Sequence, residues 1–595
     1  MLEQELTTNI SQAIHTLFGA EVGGIKLEST SEDFEGDYTF VVFPYLKQSK
    51  KSPEQTAEAI GNYLLENCNL VTRFNVVKGF LNLVIADSFY IDFISQNFSN
   101  KTFGQNTHGQ GHKVMVEYSS PNTNKPLHLG HVRNNLLGYS LAQIIKANGF
   151  EVTKVNLVND RGIHICKSML AWQRFGNGET PESSGTKGDK LVGKYYVEFD
   201  KAYKLEIEKL VAEGISEADA EKQAPLMKSA QEMLRHWEAG DAEVMRVWSM
   251  MNDWVYAGFA ESYRRLGVDF DKYYYESKTY LLGKQYVQEG LAQGVFYQKD
   301  DSSVWIDLRE YGLDEKIVQR SDGTSVYITQ DIGTADMKYD DFGCEKSIYV
   351  VANEQDYHFK VLKLILQKMG KPYADGVFHF NYGMVDLPSG KMKSREGTVV
   401  DADDLMDEII AEAKAKTAEL GKTDGLEEVE LQKLYNILGM GALKYYILKV
   451  DPQKRMLFNP AESIDLHGNT GPFIQYVYAR IQSVLRASSL ASTGEVPIAI
   501  MRSEATLQAT EKELLVHLYN FPKTVDEAGK QFSPALVANY AYELARKFNR
   551  FYQECPILKA PEKEVMERRL AICHLTGNSI KIALDLLGIN VPDRM

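Results

Sequence analysis

Residues 113–158 constrain this chain more than any other stretch. Val114-Met115-Val116-Glu117-Tyr118 is a short apolar strand, and a Ser/Pro/Asn loop, Ser119 to Pro126, follows it. Val132, Leu136, Leu137, Leu141, Ile144 and Ile145 then recur at helical spacing on one face. Asn148-Gly149 is a helix stop, and residues 152–158 read as a second strand. Two strands joined by a helical crossover make a parallel pair, the building block of an open α/β sheet.

The same pattern extends downstream. Strand signals return at residues 304–307, 325–328, 347–351 and 377–380, with helices between them. Residues 174–300 are charged and mostly helical, and read as an insertion in an α/β domain spanning about 112–400. Upstream, residues 1–111 read as a small α+β unit. It has a helix over 54–67, a strand at Phe80-Leu81-Asn82-Leu83-Val84, and a polar, Gly-rich linker at 100–111. Beyond Ala402 nearly everything has helical periodicity. A chain of 595 residues has room for these parts, at roughly 100 to 200 residues per domain.

Composition narrows the function classes. With 44 % hydrophobic and 25 % charged residues, disorder is excluded as the main state. No run of about 18 apolar residues occurs, so no membrane span is expected, and the first residues lack the basic start and apolar core of a secretory signal. The five cysteines are far apart and form no C-x-x-C pair. Neither a structural zinc site nor a disulfide framework is expected, and a reducing cytoplasm fits. The formal charge of −15 argues against a simple nucleic-acid binder, since phosphates need cations. Residues 461–595 are balanced, with 15 basic and 15 acidic side chains, and so form the surface least repellent to a polyanion.

Two constellations carry chemistry. His128-Leu129-Gly130-His131 opens the first crossover helix, where free N–H groups and the helix dipole favour phosphate. Gly130 allows close approach of a nucleotide, and two imidazoles three residues apart can face one ligand. They can donate to phosphate oxygens as charge builds, and Lys125 can add a cation. Taken alone, the histidines read equally as structural caps. Lys391-Met392-Lys393-Ser394-Arg395 lies on a basic loop between Gly390 and Gly397, suited to closing over a triphosphate. On its own such a run is more often a solvated turn.

HLGH followed about 260 residues later by KMKS resembles the paired motifs of class I aminoacyl-tRNA synthetases. VEYSSPNTNKPLHLGHVRN (116–134), VYITQDIG (326–333), EQDYH (354–358), DLHGNTGPFIQYVYAR (465–480), ANYAYELARKFNRFYQECPIL (538–558) and the terminal LDLLGINVPDRM resemble arginyl-tRNA synthetases in particular. The likeness covers nearly the whole chain outside parts of 174–300. It implies a Rossmann-type parallel-sheet catalytic domain between an N-terminal α+β domain and an all-helical anticodon-binding domain at 465–595, reached through a helical connection at 401–464. It also implies ligation of L-arginine to tRNA(Arg) through an arginyl-adenylate, with ATP as substrate, accompanied by Mg2+. A cytoplasmic monomer without an obligatory protein partner is expected.

The resemblance assigns His128, His131, Lys125, Lys391 and Lys393 to catalysis, and Gly130, Met392 and Ser394 with the two histidines to ATP. Ser119 and Asn122 fall to the amino and carboxylate ends of arginine. Glu117 and Asp331, at strand ends near the expected ligand edge, fall to the guanidinium, with Tyr327 and Gln355 beside them. Read without the resemblance, Glu117 is a strand-end acid and Asp331 an N-cap that starts a helix. Phe80 and Asn82 fall to the tRNA elbow, and Tyr476, Arg480, Tyr552 and Met595 to the anticodon region. Tyr478, Tyr542, Arg546 and Arg550 add to an aromatic-basic composition suited to unpaired bases. Two departures stand out: the second lysine of the basic loop is displaced by one position, and Arg161 and His164 stand where relatives carry an aromatic and a Gln. Competing readings are a nucleotidyltransferase that does not use tRNA, which lacks a reason for the helical C-terminus, and an inactive RNA-binding relative, which lacks a reason to keep His128, His131, Asp331 and Lys391.

Overall fold

The computed structural model describes residues 2–31, 33–324, 326–386, 400–420, 427–488 and 506–595. Lys391, Met392, Lys393, Ser394 and Arg395 lie outside the described residues. The chain forms two compact units. One comprises Met1–Phe103, Arg480–Phe521 and Glu543–Ser579; the other comprises Gly104–Ala479, Pro522–Tyr542 and Ile580–Met595. The C-terminal helices thus contribute to both.

In the first unit an antiparallel sheet has the order β1 (Leu27–Ser29), β2 (Tyr38–Val41), β4 (Phe80–Ile85), β3 (Val71–Val77). Helix α1 (Leu2–Phe18) buries Leu2, Leu6, Ile10, Ala13 and Ile14, a 3.6-residue stripe. Helix α2 (Pro53–Asn67) starts where Ser52 and Gln55 form a reciprocal capping box and Pro53 fixes the first turn. Helix α3 (Asp87–Asn97) completes the N-terminal layer.

The second unit is built on a five-stranded sheet, parallel throughout. Its order is β12 (Val377–Tyr382), β11 (Lys346–Ala352), β5 (Lys113–Glu117), β6 (Glu151–Val158), β7 (Lys272–Tyr275). The chain starts at β5 and builds outward to β7, then returns to β11 and β12 on the other side. The switch point is therefore the crevice between the C-terminal ends of β5 and β11, where ligands bind in doubly wound folds. Helix α4 (Leu129–Ala147) joins β5 to β6; all six apolar residues expected on its inner face are buried. Arg133, Asn134, Asn135 and Ser140 are buried too, so the helix is packed on nearly every side rather than on one face. Helix α5 (Ile163–Phe175) leads into the expected insertion, and α6 (Gly188–Ala212), α7 (Pro225–Glu238) and α8 (Ala242–Leu266) are its long helices.

The structure corrects three expectations. Residues 174–300 are not free of sheet, because Lys-Tyr-Tyr-Tyr forms the edge strand β7 on β6. Of the strand expected at 325–328, the described residues 326–328 form none. Val326 is extended, and helix α9 (Tyr327–Phe342) begins at the next residue. Asp331 therefore sits in the second turn of α9 and neither starts nor caps it. A small antiparallel sheet, β8 (Tyr297–Gln298), β9 (Val304–Ile306) and β10 (Lys316–Gln319), precedes α9, and α10 (Asp356–Lys368) links β11 to β12. Past a two-residue strand, β13 (Val385–Asp386), the described chain resumes with α11 (Ala402–Leu420) and α12 (Glu428–Leu448), then β14 (Met456–Leu457) and α13 (Gly471–Arg486). Helices α14 (Ala509–Tyr519), α15 (Phe521–Gln531), α16 (Pro534–Glu554) and α17 (Lys563–Leu586) complete the helical region.

All five cysteines are free and buried. Among the described residues, no helix is long and apolar enough to cross a membrane.

Gly138 sets how closely α4 packs on β5. A Cβ there would lie 2.4 Å from the Cβ and Cγ of Tyr118, a fully buried side chain whose hydroxyl donates to the Asp269 carbonyl at 2.5 Å. Gly138→Ala is expected to destabilise the protein by about 1 to 3 kcal/mol through overpacking, read from the urea midpoint.

Candidate active site

The loop after β5 is held in a left-handed conformation. Ser119 and Ser120 have φ of 74° and 42°, values that cost side-chain-bearing residues energy. Three asparagines fix them. Asn134 Oδ1 accepts from the Ser119 N–H at 2.5 Å, Asn156 Oδ1 accepts from the Ser120 N–H at 3.1 Å, and Asn159 Nδ2 donates to the Ser120 carbonyl at 3.1 Å. Asn134 Nδ2 also donates to the Val350 carbonyl and to Tyr382 Oη, joining this turn to β11 and β12. Ser119 is buried, its hydroxyl 2.7 Å from that of Tyr263 on α8. Asn122 is exposed and bridges Asn159.

The histidine pair forms the cap of α4. The His128 ring accepts from the Gly130 N–H through Nδ1, and His131 Nδ1 accepts from the His128 N–H, each at 3.2 Å. The ring centroids are 4.0 Å apart. Burial, together with the Lys125 cation, pushes His128 down to about 3. Burial, His128 and Lys125 drive His131 well below its ordinary range. Both imidazoles are therefore neutral, and with Nδ1 occupied each carries its proton on Nε2. They are neutral donors, suited to phosphate oxygens without adding fixed charge.

The chain re-enters beside them after the undescribed stretch. The Leu129 N–H donates to Val400 O, and the Ala402 N–H to Leu127 O. Lys187 ties this re-entry to the insertion, contacting Asp403 at 2.6 Å, Ser262 at 2.6 Å and the buried Asp189 at 3.2 Å. On the departure side, Arg133 is fully buried and donates to the carbonyls of Met384, Pro452 and Lys454.

The acidic residues meet at the switch point. Glu117, the last residue of β5, is 6 % exposed and pairs with Lys338, itself 2 % exposed, on α9. Asp331 accepts from His358 Nε2 on α10 at 2.6 Å. Both carboxylates act through space on the hydroxyl of buried Tyr349, raising it after burial itself. Tyr327 is 76 % exposed, one turn before Asp331, and Gln355 is exposed at the end of β11. Glu276, directly after β7, is pushed up to about 7 by burial, with Asp160 and Asp331 adding to the shift and Arg161 opposing it. Arg161 lies 4.0 Å from the Tyr280 ring centroid and pairs with Glu238; His164 Nδ1 is 3.0 Å from Tyr196 Oη. Lys338, Glu276, Asn156 and Tyr263 carried no signal in the sequence; His358 and Asn134 lay unremarked inside the quoted stretches.

The remaining expected residues are distributed as follows. In the first unit, Phe80 is exposed against Phe43, whereas Asn82 is buried, bonded to Thr39 and Asn75. Arg480 donates to Asn549 at 2.6 Å and lies 5.3 Å from the Tyr552 ring centroid; Tyr552 is exposed. In the second unit, Tyr476 and Met595 are half-buried, and Tyr478 is buried.

A family model described as the class I tRNA synthetase (R) catalytic domain matches residues 93–459. Models of the arginyl tRNA synthetase N-terminal domain and the DALR anticodon binding domain match 4–85 and 474–595. The fold and its site are thus those of a class I aminoacyl-tRNA synthetase. Curated arginine–tRNA ligases of Phocaeicola vulgatus and Flavobacterium psychrophilum are 55 % and 54 % identical, with all of each chain covered. A solved Thermus thermophilus arginyl-tRNA synthetase shares the fold, with a TM-score of 0.78 at 24 % identity over all of both chains. The chain belongs to the arginine–tRNA ligase family.

The neutral histidines have a pH consequence. Below 6.5 an unfolded chain protonates both rings while the native state does not, so stability falls as pH drops from 6.5 towards 3. Each pH unit in that window removes up to about 1.4 kcal/mol per ring. Urea midpoints should fall on acidification, and less steeply in His128→Asn.

Proposed function

We propose that this chain ligates L-arginine to tRNA(Arg) with ATP, through an arginyl-adenylate, at the crevice between β5 and β11. The observation that carries this reading is that Glu117, at the end of β5, pairs with Lys338 on the same helix α9 that carries Asp331. A guanidinium needs two planar acceptors, and paired carboxylates provide them. The neutral Nε2–H groups of His128 and His131, with Lys125, would donate to the ATP phosphates. The arginine carboxylate would attack the α-phosphorus in line, releasing pyrophosphate, and a ribose hydroxyl of the tRNA end would then take the arginyl group and release AMP. Positioning and charge stabilisation account for most of such catalysis. Mg2+ enters with ATP. Among the described residues no His, Cys, Asp and Glu group suits a bound metal.

We assign arginine's amino and carboxylate ends to Asn122 and the Ser119 turn, and its guanidinium also to Tyr327 and Gln355. Phe80 would stack on a base of the tRNA elbow, with Asn82 supporting Asn75 beneath the same surface. Tyr476, Arg480, Tyr552 and Met595 are the proposed anticodon contacts. The domain division at 111, 400 and 464, the cytoplasmic location and the monomeric state rest on the family resemblance.

Pyrophosphate exchange with each amino acid, with and without tRNA, tests the reading; exchange should depend on both arginine and tRNA(Arg). Asp331→Asn should cut the preference for arginine over citrulline by about 10² or more, because the wild-type pocket leaves carboxylates unpaired against an uncharged side chain. Unaltered preference would exclude Asp331. Lys391→Ala should lower single-turnover adenylate formation by about 10² to 10³ with ATP affinity nearly unchanged, Lys393→Ala by less. Greatest damage in Arg395→Ala would shift the assignment along the loop.

A further inference from the structure

We propose that Lys338 is a positioning residue of the arginine site, which keeps Glu117 ionised and its carboxylate oriented whether or not arginine is bound. The inference rests on the reading of Glu117 as a guanidinium acceptor.

The geometry is specific. Asp331 and Lys338 are seven residues apart on α9, two helical turns, so they share a face about 10 Å apart along the axis. That face meets the end of β5. Lys338 Nζ contacts Glu117 Oε2, and among the described residues Oε1 accepts no hydrogen bond. Lys338 thus holds one carboxylate oxygen, and the other has no protein donor among the described residues. Two tyrosine rings enclose the lysine: Tyr349 on β11, with its centroid 5.1 Å from Nζ, and Tyr274 on β7, at 5.8 Å. Tyr274 donates to Asp341, which Lys272 also pairs, so the ring beside Lys338 is itself anchored. Asp331 with His358, Asp341 with Lys272, and the two tyrosines are the other titratable groups around the pair.

A carboxylate this deeply buried without a cation would take up a proton, and a protonated Glu117 would be a poor acceptor for a guanidinium. Binding would then include an ionisation step. With Lys338 present, Glu117 and its partner sum to zero charge, and Asp331 supplies the single negative charge that a guanidinium matches. The acceptor is ready before the substrate arrives. A glue role between α9 and β5 alone would predict a loss of stability, not a change in how arginine affinity responds to pH.

The test measures KM for arginine and for ATP, and kcat for tRNA charging, from pH 6.5 to 9. Lys338→Met should raise the arginine KM by about tenfold or more, leave the ATP KM within twofold, and make the arginine KM fall as pH rises, as Glu117 regains its charge. Lys338→Arg should restore a flat profile. Glu117→Gln should raise the arginine KM at every pH, most strongly where Lys338, left without its carboxylate, is still protonated. The double variant Lys338→Met, Glu117→Gln carries no buried charge at this spot; it serves if Lys338→Met does not fold, and should show a raised arginine KM with a flat profile, no worse than Glu117→Gln. If Glu117→Gln leaves the arginine KM unchanged, the arginine-site reading fails. If Glu117→Gln raises it while Lys338→Met gives a wild-type or flat profile, or the double variant is much worse than Glu117→Gln, the role given to Lys338 fails.

Discussion

Asn134 is the side chain on which the site's geometry depends most. Its amide accepts from Ser119 and donates to Val350 and Tyr382, so one group on the histidine helix spans the ends of β5, β11 and β12. The left-handed serines persist because this amide and those of Asn156 and Asn159 over-determine them. The turn directs the chain away from β5 so that Glu117 stays in the crevice while His128 and His131 cap the next helix. Because the asparagine and the histidines are on one rigid element, the spacing between the acidic pocket and the phosphate donors is set by helix geometry and not by loop conformation.

Charge is handled by the same economy. Two carboxylates close to a cationic ligand would repel each other in the empty site, and here Lys338 neutralises Glu117 while Asp331 accepts a hydrogen bond from His358. The histidines solve the complementary problem. They must offer protons to a polyanion, yet two imidazolium ions 4.0 Å apart beside Lys125 would repel. Burial keeps them neutral, and the backbone N–H groups of Gly130 and His128 choose the tautomer.

Much of this was legible in the sequence, for physical reasons. Strands β5 and β11 are central, largely buried and read as apolar runs, and the helix stop at Asn148-Gly149 needed the left-handed glycine found there. Strand β7 was missed because four residues rich in tyrosine at a sheet edge carry no alternation of their own. The start of α9 was misread because Val-Tyr-Ile is β-rich while its burial is decided by Ile328 and Ile332 packing in the core. The motifs exposed the histidines and Asp331. They did not expose Lys338, because its partner lies 221 residues away and a lone lysine in a helix looks solvated. Nor did they show that Asn82 is occupied by Thr39 and Asn75, since a strand's two faces cannot be told apart without its neighbours.

The burial of every cysteine has a practical side. Cys166 is held up at about 12 by burial, and Cys344, Cys555 and Cys573 are raised for the same first reason. Thiolate is the reactive form, so these side chains are both shielded and chemically quiet at neutral pH. A single cysteine introduced on the exposed surface, at Phe80 or Tyr552 for instance, would then react with a maleimide dye far ahead of the native five. The molecule comes ready for site-selective fluorescence or spin labelling, with no need to remove its own sulfhydryls first.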